Sequence, residues 1–311
     1  MRRSITIQSP STIGNVGVGF DVLGMALKHV GDEITLTTRD DNQLEITSIE
    51  SEVKLTYDIE ENAATAAMIP FLEHIGSDQG FNIKIKKFVY PGSGLGSSAS
   101  SAVGGVFAAN ELLNKPLELK QLLPFAQEGE RAACGTPILD NIAPALLGGI
   151  VLVHENKRLN VVELPVPSDL FVSLVFPKIE IKTADARAAL NHSIPLETAI
   201  KQWGGLAGFV SALYTSNYDL LGESLVDYVV EPMRASLIPG FHDIQKAAMQ
   251  AGALGCSISG SGPSIFAISR GKDNAETVLT NMKSVLNQNN MPYEAFVSGV
   301  NTNGVQILRT S

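Results

Sequence analysis

The feature that most constrains this chain is a strand that runs into a glycine- and serine-rich loop and out into a helix of small residues. Residues 81–89, Phe-Asn-Ile-Lys-Ile-Lys-Lys-Phe-Val, alternate apolar and polar with the period of a half-buried strand. Pro91-Gly-Ser-Gly-Leu-Gly-Ser-Ser-Ala-Ser100 follows, and residues 97–113 read as a helix that stops before Asn114-Lys115-Pro116. Glycines let a backbone turn tightly and present its amides without a Cβ in the way. Ser97 or Ser98 is expected to cap the helix. The free N–H groups of the first turn and the helix dipole favour an anion there. The string suits a polyphosphate cradle, and it equally suits a glycine turn that only starts a helix. It is not a Walker A loop, because no Lys follows the last glycine, nor a dinucleotide fingerprint, because no acid closes the next strand.

Strands are also expected at 3–8, 32–38, 150–153, 171–176, 294–300 and 304–309, and helices at 119–133, 184–190, 196–215, 217–230, 241–251 and 274–288. Two strand-like arms flank Ser259-Gly-Ser-Gly262. The mixture lacks a βαβ rhythm, which argues for an α+β fold. Leu164-Pro-Val-Pro-Ser168 reads as an inter-domain turn, dividing 311 residues into domains 1–165 and 166–311.

The net charge is −9 with no Lys/Arg block, which argues against a nucleic-acid partner. Cys134 and Cys256 are isolated, so neither a disulfide framework nor a zinc site is expected. The N-terminus lacks the apolar stretch of a signal peptide, and the longest apolar run is too short for a bilayer. A cytoplasmic, membrane-free location is expected, and the sequon Asn191-His192-Ser193 is discounted. No Gly-x-Ser-x-Gly elbow is present, and His29, His74, His154, His192 and His242 show no HExxH spacing.

Three blocks together resemble the GHMP small-molecule kinases. Gly94-Leu-Gly-Ser-Ser-Ala99 is similar to their phosphate loop, with the proline one residue late after Tyr90. Ser11-Thr-Ile-Gly-Asn-Val-Gly-Val-Gly-Phe-Asp-Val-Leu-Gly24 resembles their first motif, and Gly255-Cys-Ser-Ile-Ser-Gly-Ser-Gly-Pro-Ser264 their third. The resemblance implies a ribosomal S5 domain 2-like N-terminal domain and a ferredoxin-like C-terminal domain. It implies ATP and Mg²⁺ as cofactors, a small hydroxyl acceptor, and a possible homodimer. Details at 19–24, 140–149, 182–187, 231–241 and 258–263 are most similar to the branch that phosphorylates L-homoserine on the way to threonine.

Carried onto this chain, the resemblance assigns the nucleotide to Asn62, Lys87, Tyr90, Pro91, Gly92, Ser93, Gly94, Leu95, Gly96, Ser97, Ser98, Ala99, Ser100, Ser261 and Gly262. Lys87 taken alone reads as a solvated strand lysine. Ser98 and Glu130 are implied at the metal; Glu128, two residues away, would point elsewhere on a helix. Arg187 and Arg234 are implied at the acceptor carboxylate, which suits a guanidinium fork. As residues alone they equally suit surface arginines paired with Asp185 and Glu231. Asn15 and Asp21 are implied at the ammonium and hydroxyl, or form an Asx turn. Asp140 and Asn141 are the catalytic candidates, assigned to positioning the acceptor. One departure is Gly135-Thr-Pro-Ile138-Leu-Asp-Asn141, where the branch commonly has His at the Ile138 position. That keeps open a related kinase for another alcohol or sugar, and a non-catalytic ATP-binding sensor is the reading from a different class.

Overall fold

The computed structural model describes residues 3–135, 137–179, 181, 183–191 and 193–311. Thr136, Glu180, Lys182, the side chains of residues 183–185, and His192 in the middle of the sequon lie outside the described residues. The strands are β1 (Ser4–Gly14), β2 (Leu23–Thr38), β3 (Leu44–Glu50), β4 (Phe81–Lys86), β5 (Ile150–Glu155), β6 (Asn160–Leu164), β7 (Leu170–Pro177), β8 (Gly255–Ile258), β9 (Ile265–Arg270), β10 (Tyr293–Gly299) and β11 (Gln306–Thr310). The helices are α1 (Ala63–Ile75), α2 (Ser97–Leu112), α3 (Leu123–Cys134), α4 (Leu139–Leu147), α5 (Thr183–Ala188), α6 (Leu196–Thr215), α7 (Tyr218–Ser224), α8 (Glu231–Arg234), α9 (Phe241–Gln250) and α10 (Lys272–Gln288).

One sheet runs β11-β1-β2-β4-β3, with β5 paired to β2 and β6 to β5; the other runs β10-β7-β9-β8. The α+β expectation holds in both halves. Inward residues of the first sheet, among them Ile5, Ile7, Ile34 and Ile83, join Phe71 of α1, Val103 of α2 and Ile142 of α4 in one core. The second sheet alternates its faces with period two. Leu170, Val172 and Leu174 of β7 pack with Phe209 of α6 and with Ile13 and Met25 of the first sheet, whereas Val175 packs against Phe241 of α9 and Met282 of α10. The last strand returns to pair with β1, so the chain beyond Gly299 belongs to the first sheet although it follows the second in sequence. Among the described residues, no helix is long and apolar enough to cross a membrane.

The expected helix at 217–230 ends at Ser224. The Asp227 carboxylate accepts from the amides of Val229, Val230 and Glu231, a local bonding pattern that competes with the helix. Helices α1, α4 and α8 and strands β3 and β6 lie outside the elements expected from the sequence. Helix α1 is locally well specified all the same: Asn62 Oδ1 accepts from Ala64 N at 3.1 Å at one end, and Gly76 adopts a left-handed conformation at the other.

Candidate active site

The glycine loop bridges β4 and α2 and is tied to both other glycine-rich segments. Thr12 N donates to Leu95 O at 3.1 Å, Ser264 N to Ser93 O at 3.1 Å, and Gly260 N to Gly14 O at 3.1 Å. Ser259 Oγ donates to Gly94 O at 2.7 Å. Gly94 has a φ of +83°, and a Cβ on it would lie 2.6 Å from Ser259 O and 2.7 Å from Gly262 O. Three segments distant in sequence thus share one backbone network at the mouth of α2. The N-cap is Gly96, in a left-handed conformation and without a side-chain cap; neither Ser97 nor Ser98 caps the helix as expected. Ser97 instead points back to Val89 O. With no side chain covering the helix start, its amides remain available to an anion.

A cleft of about 440 Å³ opens in front of this helix end. Of the residues assigned to the nucleotide, Asn62, Lys87, Pro91, Gly92, Gly94, Gly96, Ser97, Ser98 and Ser261 line it. Tyr90, Ser93, Leu95, Ala99, Ser100 and Gly262 lie outside its lining. Tyr90 packs on Phe176 with ring centroids 5.4 Å apart, and Leu95 and Ala99 are core residues. Ser93 Oγ accepts from Leu95 N, and Ser100 Oγ donates to Ser9 O at 2.7 Å.

Lys87 is not a solvated strand lysine. It is buried against the carboxylate of Asp32 and donates to Ser97 O at 2.7 Å and Ser101 Oγ at 2.8 Å. Burial raises the Asp32 carboxyl, and Lys87 and Ser101 oppose that rise. The pair ties β2 to the first turn of α2. Asp32, in the middle of an otherwise strand-like segment, was missed; an acid on the inward face of a strand was the available signal.

Glu130 and Glu128 diverge as expected for a separation of two on a helix. Glu128 bonds Arg131 at the surface, whereas Glu130 lines the cleft. Glu130 Oε1 accepts from Cys134 Sγ at 3.2 Å, and its Oε2 is buried without a hydrogen-bond partner. Burial pushes its carboxyl up, with Cys134, Ser98 and Lys87 pulling the other way.

At the other end of the cleft, Asn15 and Asp21 both adopt positive φ, 69° and 58°. Asp21 N donates to Asn15 Oδ1 at 3.1 Å, closing a loop of six residues rather than an Asx turn, and Asn15 Nδ2 donates to Gly260 O at 3.0 Å. Arg234, only 3% exposed, donates to Gly260 O at 2.9 Å and Ala186 O at 3.1 Å. Arg187 reaches both oxygens of Asp21, at 3.4 and 3.3 Å, and its Nε is buried without a partner. The Phe20 ring lies 5.2 Å from the Arg234 guanidinium and 6.0 Å from that of Arg187. Burial, then the neighbouring Arg187, pull the Arg234 value down. A buried Arg234 beside a half-buried Arg187 suits an anion between them.

Asp140 and Asn141 sit between the two ends. Asp140 accepts from Asn15 N at 3.2 Å and from Asn141 Nδ2 at 3.1 Å, and Asn141 Oδ1 accepts from Thr12 Oγ1 at 2.8 Å. Burial, and next the Asp21 charge, raise Asp140 to about 7, against the Asn15 amide. Ile138 lines the same stretch of wall. Among the described residues, no group of three or more His, Cys, Asp or Glu side chains forms a metal cluster.

The description "GHMP kinases N terminal domain" matches residues 62–149, and "GHMP kinases C terminal" matches residues 209–288. The chain is 44% identical to a homoserine kinase of Chlorobium phaeobacteroides over 96% of this chain and 97% of that one. It is 41% identical to one of Chlorobaculum tepidum over 99% of each. The crystal structure of a homoserine kinase from Cytophaga hutchinsonii superposes with a TM-score of 0.97 at 46% identity, covering 99% of this chain and 98% of that one. With matches of this length and a glycine cradle opening on a cleft that ends in two arginines, the chain belongs to the GHMP kinase family.

Proposed function

We propose that this chain is a homoserine kinase, which transfers the γ-phosphate of ATP to the side-chain hydroxyl of L-homoserine in threonine biosynthesis. The relatives at 41–44% identity bear that name. The observation that carries the reading is the convergence of two ends on one cleft: open amides at the start of α2, and an Arg187–Arg234–Asp21 constellation sized for a compact amino acid.

In this reading the loop amides of Gly92, Gly94, Gly96, Ser97 and Ser98 hold the phosphates, and the Lys87–Asp32 pair keeps the first turn of α2 in place. Glu130 and Ser98 fit Mg²⁺, because Glu130 presents a buried oxygen with no partner and a hard cation takes one or two carboxylate ligands beside phosphate oxygens. When bound, the ion neutralises charge on the transferring phosphoryl group. Arg234 and Arg187 bind the acceptor carboxylate, and Asp21 and Asn15 receive its ammonium. Asp140 and Asn141 hold the hydroxyl towards the phosphate. A carboxyl near 7 is partly ionised at neutrality, so Asp140 can accept the hydroxyl hydrogen bond while the proton leaves to phosphate or solvent. We also divide the chain into an ATP-binding domain of residues 1–165 with β11 added, and a C-terminal domain of 166–300. We place the protein in the cytoplasm as a homodimer, with the exposed row Leu196, Ile200, Trp203 and Tyr214 of α6 as the contact face.

ADP release from Mg-ATP is expected to accelerate with L-homoserine and not with mevalonate or galactose. Stimulation by another alcohol alone moves the assignment to a related kinase, and no stimulation by any acceptor leaves the sensor reading. A monomer in sedimentation equilibrium removes the dimer.

A further inference from the structure

Thr12 belongs to none of the groups assigned so far. It is fully buried and outside the cleft lining, on β1 in the first glycine-rich motif. Its two polar atoms nevertheless join both halves of the site. The backbone N–H donates to Leu95 O inside the phosphate loop at 3.1 Å, and the hydroxyl donates to Asn141 Oδ1 at 2.8 Å. Asn141 Nδ2, at the other end of that amide, donates to Asp140 Oδ1 at 3.1 Å.

The surrounding packing leaves little freedom. A Cβ on Gly96 would collide with Thr12 Oγ1, and one on Gly14 would lie 2.6 Å from Asn141 Nδ2 and 2.7 Å from Asp140 Oδ2. Two glycines therefore clear the space in which Thr12, Asn141 and Asp140 are threaded. A carboxamide is nearly symmetric in shape, so its orientation is set by what bonds each end. Here one end meets a hydroxyl and the other a carboxylate. Without the hydroxyl, Asn141 Oδ1 has no bond to Thr12 and the amide is held only from the Asp140 side.

We propose that Thr12 is a positioning residue of the phosphoryl transfer: its hydroxyl fixes the Asn141 carboxamide, and through it the Asp140 carboxylate, relative to the phosphate loop that its own amide anchors. The inference rests on the kinase reading and extends it to a side chain that does not touch the substrates. Thr12→Val keeps the shape and removes only the hydroxyl; Thr12→Ser keeps the hydroxyl and removes only a methyl.

The test is a double-mutant cycle with Asn141→Ala, with rates expressed per site counted by binding of a fluorescent ATP analogue. Thr12→Val is expected to lower kcat/KM for L-homoserine by about 10- to 100-fold, the scale of a misplacement within a reacting geometry. The affinity for the ATP analogue is expected to stay within about twofold, because the anchoring amide is retained. Thr12→Ser is expected to recover most of the rate. In the Asn141→Ala background, Thr12→Val should add little, since the amide it orients is gone. An equal loss in both backgrounds, or a Ser variant as slow as the Val variant, overturns the proposal. If the Val variant does not fold, Thr12→Ala runs through the same cycle with the same two criteria. Wild-type protein without homoserine-stimulated turnover counts against the kinase reading; wild-type turnover with an unaffected Thr12→Val variant counts against Thr12 alone.

Discussion

The two ends of the cleft are built on opposite principles. In the proposed reading the phosphate end is one consecutive stretch of chain that offers main-chain amides. Its shape comes from left-handed glycines, Gly92 at +85°, Gly94 at +83° and Gly96 at +61°. In the same reading the acceptor end takes Asn15 and Asp21 from one stretch of chain and Arg187 and Arg234 from two others; Asn15 and Arg234 both donate to Gly260 O, and Arg187 pairs with Asp21. A backbone site tolerates most changes except the addition of a Cβ at the wrong glycine. A side-chain site tolerates little at its charged groups, because each removed partner leaves another group buried and unpaired. Damage at one end should therefore show in one substrate and spare the other.

The largest effect is expected between the two ends. Glu130→Gln keeps the shape and removes the charge offered to the ion, and kcat should fall by about 10³-fold. Unchanged turnover at saturating Mg²⁺ removes Glu130 from the site. Next, Arg234→Ala should raise KM for the amino acid by about 10²-fold and leave KM for ATP within about twofold. Equal damage to both constants breaks the division between the two ends.

Asp140 gives a pH signature. With its carboxyl near 7, kcat/KM for the acceptor should rise with pH through about 7, and Asp140→Asn should be slower by about tenfold or more and lose that limb. Stability runs the other way. Between the ordinary value of 3.8 and about 7 the native state holds a proton that the unfolded chain has lost. The contribution of this group is therefore greatest below 3.8 and declines as pH rises through about 7. The Tm difference between Asp140→Asn and the parent should widen in favour of the variant from pH 5 to pH 8. A constant difference contradicts the assignment.

The smallest contrast lies inside the loop. Gly94→Ala meets two carbonyl oxygens as well as a positive φ, whereas an added Cβ on Gly92 meets nothing within 4 Å. Gly92→Ala should cost only the left-handed penalty of about 1–2 kcal/mol, and Gly94→Ala more. Equal Tm shifts would mean that the contact with the third glycine segment does not matter.

The same contrast explains which parts of the molecule were legible beforehand. Strand β4, the loop and α2 carry their signals locally, in alternation, glycines and small residues, and all three lie where expected within a few residues. Helix α6 agrees with its expected bounds for the same reason. The helix at 217–230 was overextended because apolar periodicity does not report that Asp227 bonds the backbone after it. Lys87 reads as solvated because a lone lysine usually is, although period two places it on the inward face with Phe81, Ile83 and Ile85; its partner, Asp32, lies 55 positions earlier. Asn62 lines the cleft, and its side chain caps α1 and bonds Thr56 O.

By itself the sequence determined the α+β composition, the glycine cradle and the order of three motifs, because φ preference, hydrophobic period and turn chemistry act between near neighbours. Only the tertiary structure decided that α2 starts bare at Gly96, that Lys87 is neutralised by Asp32, that the final strand rejoins the first sheet, and that Thr12, Asn141 and Asp140 form one chain of hydrogen bonds. The reason is physical: burial and pairing of polar groups depend on which distant segments are brought within about 3 Å, and no local preference encodes that distance.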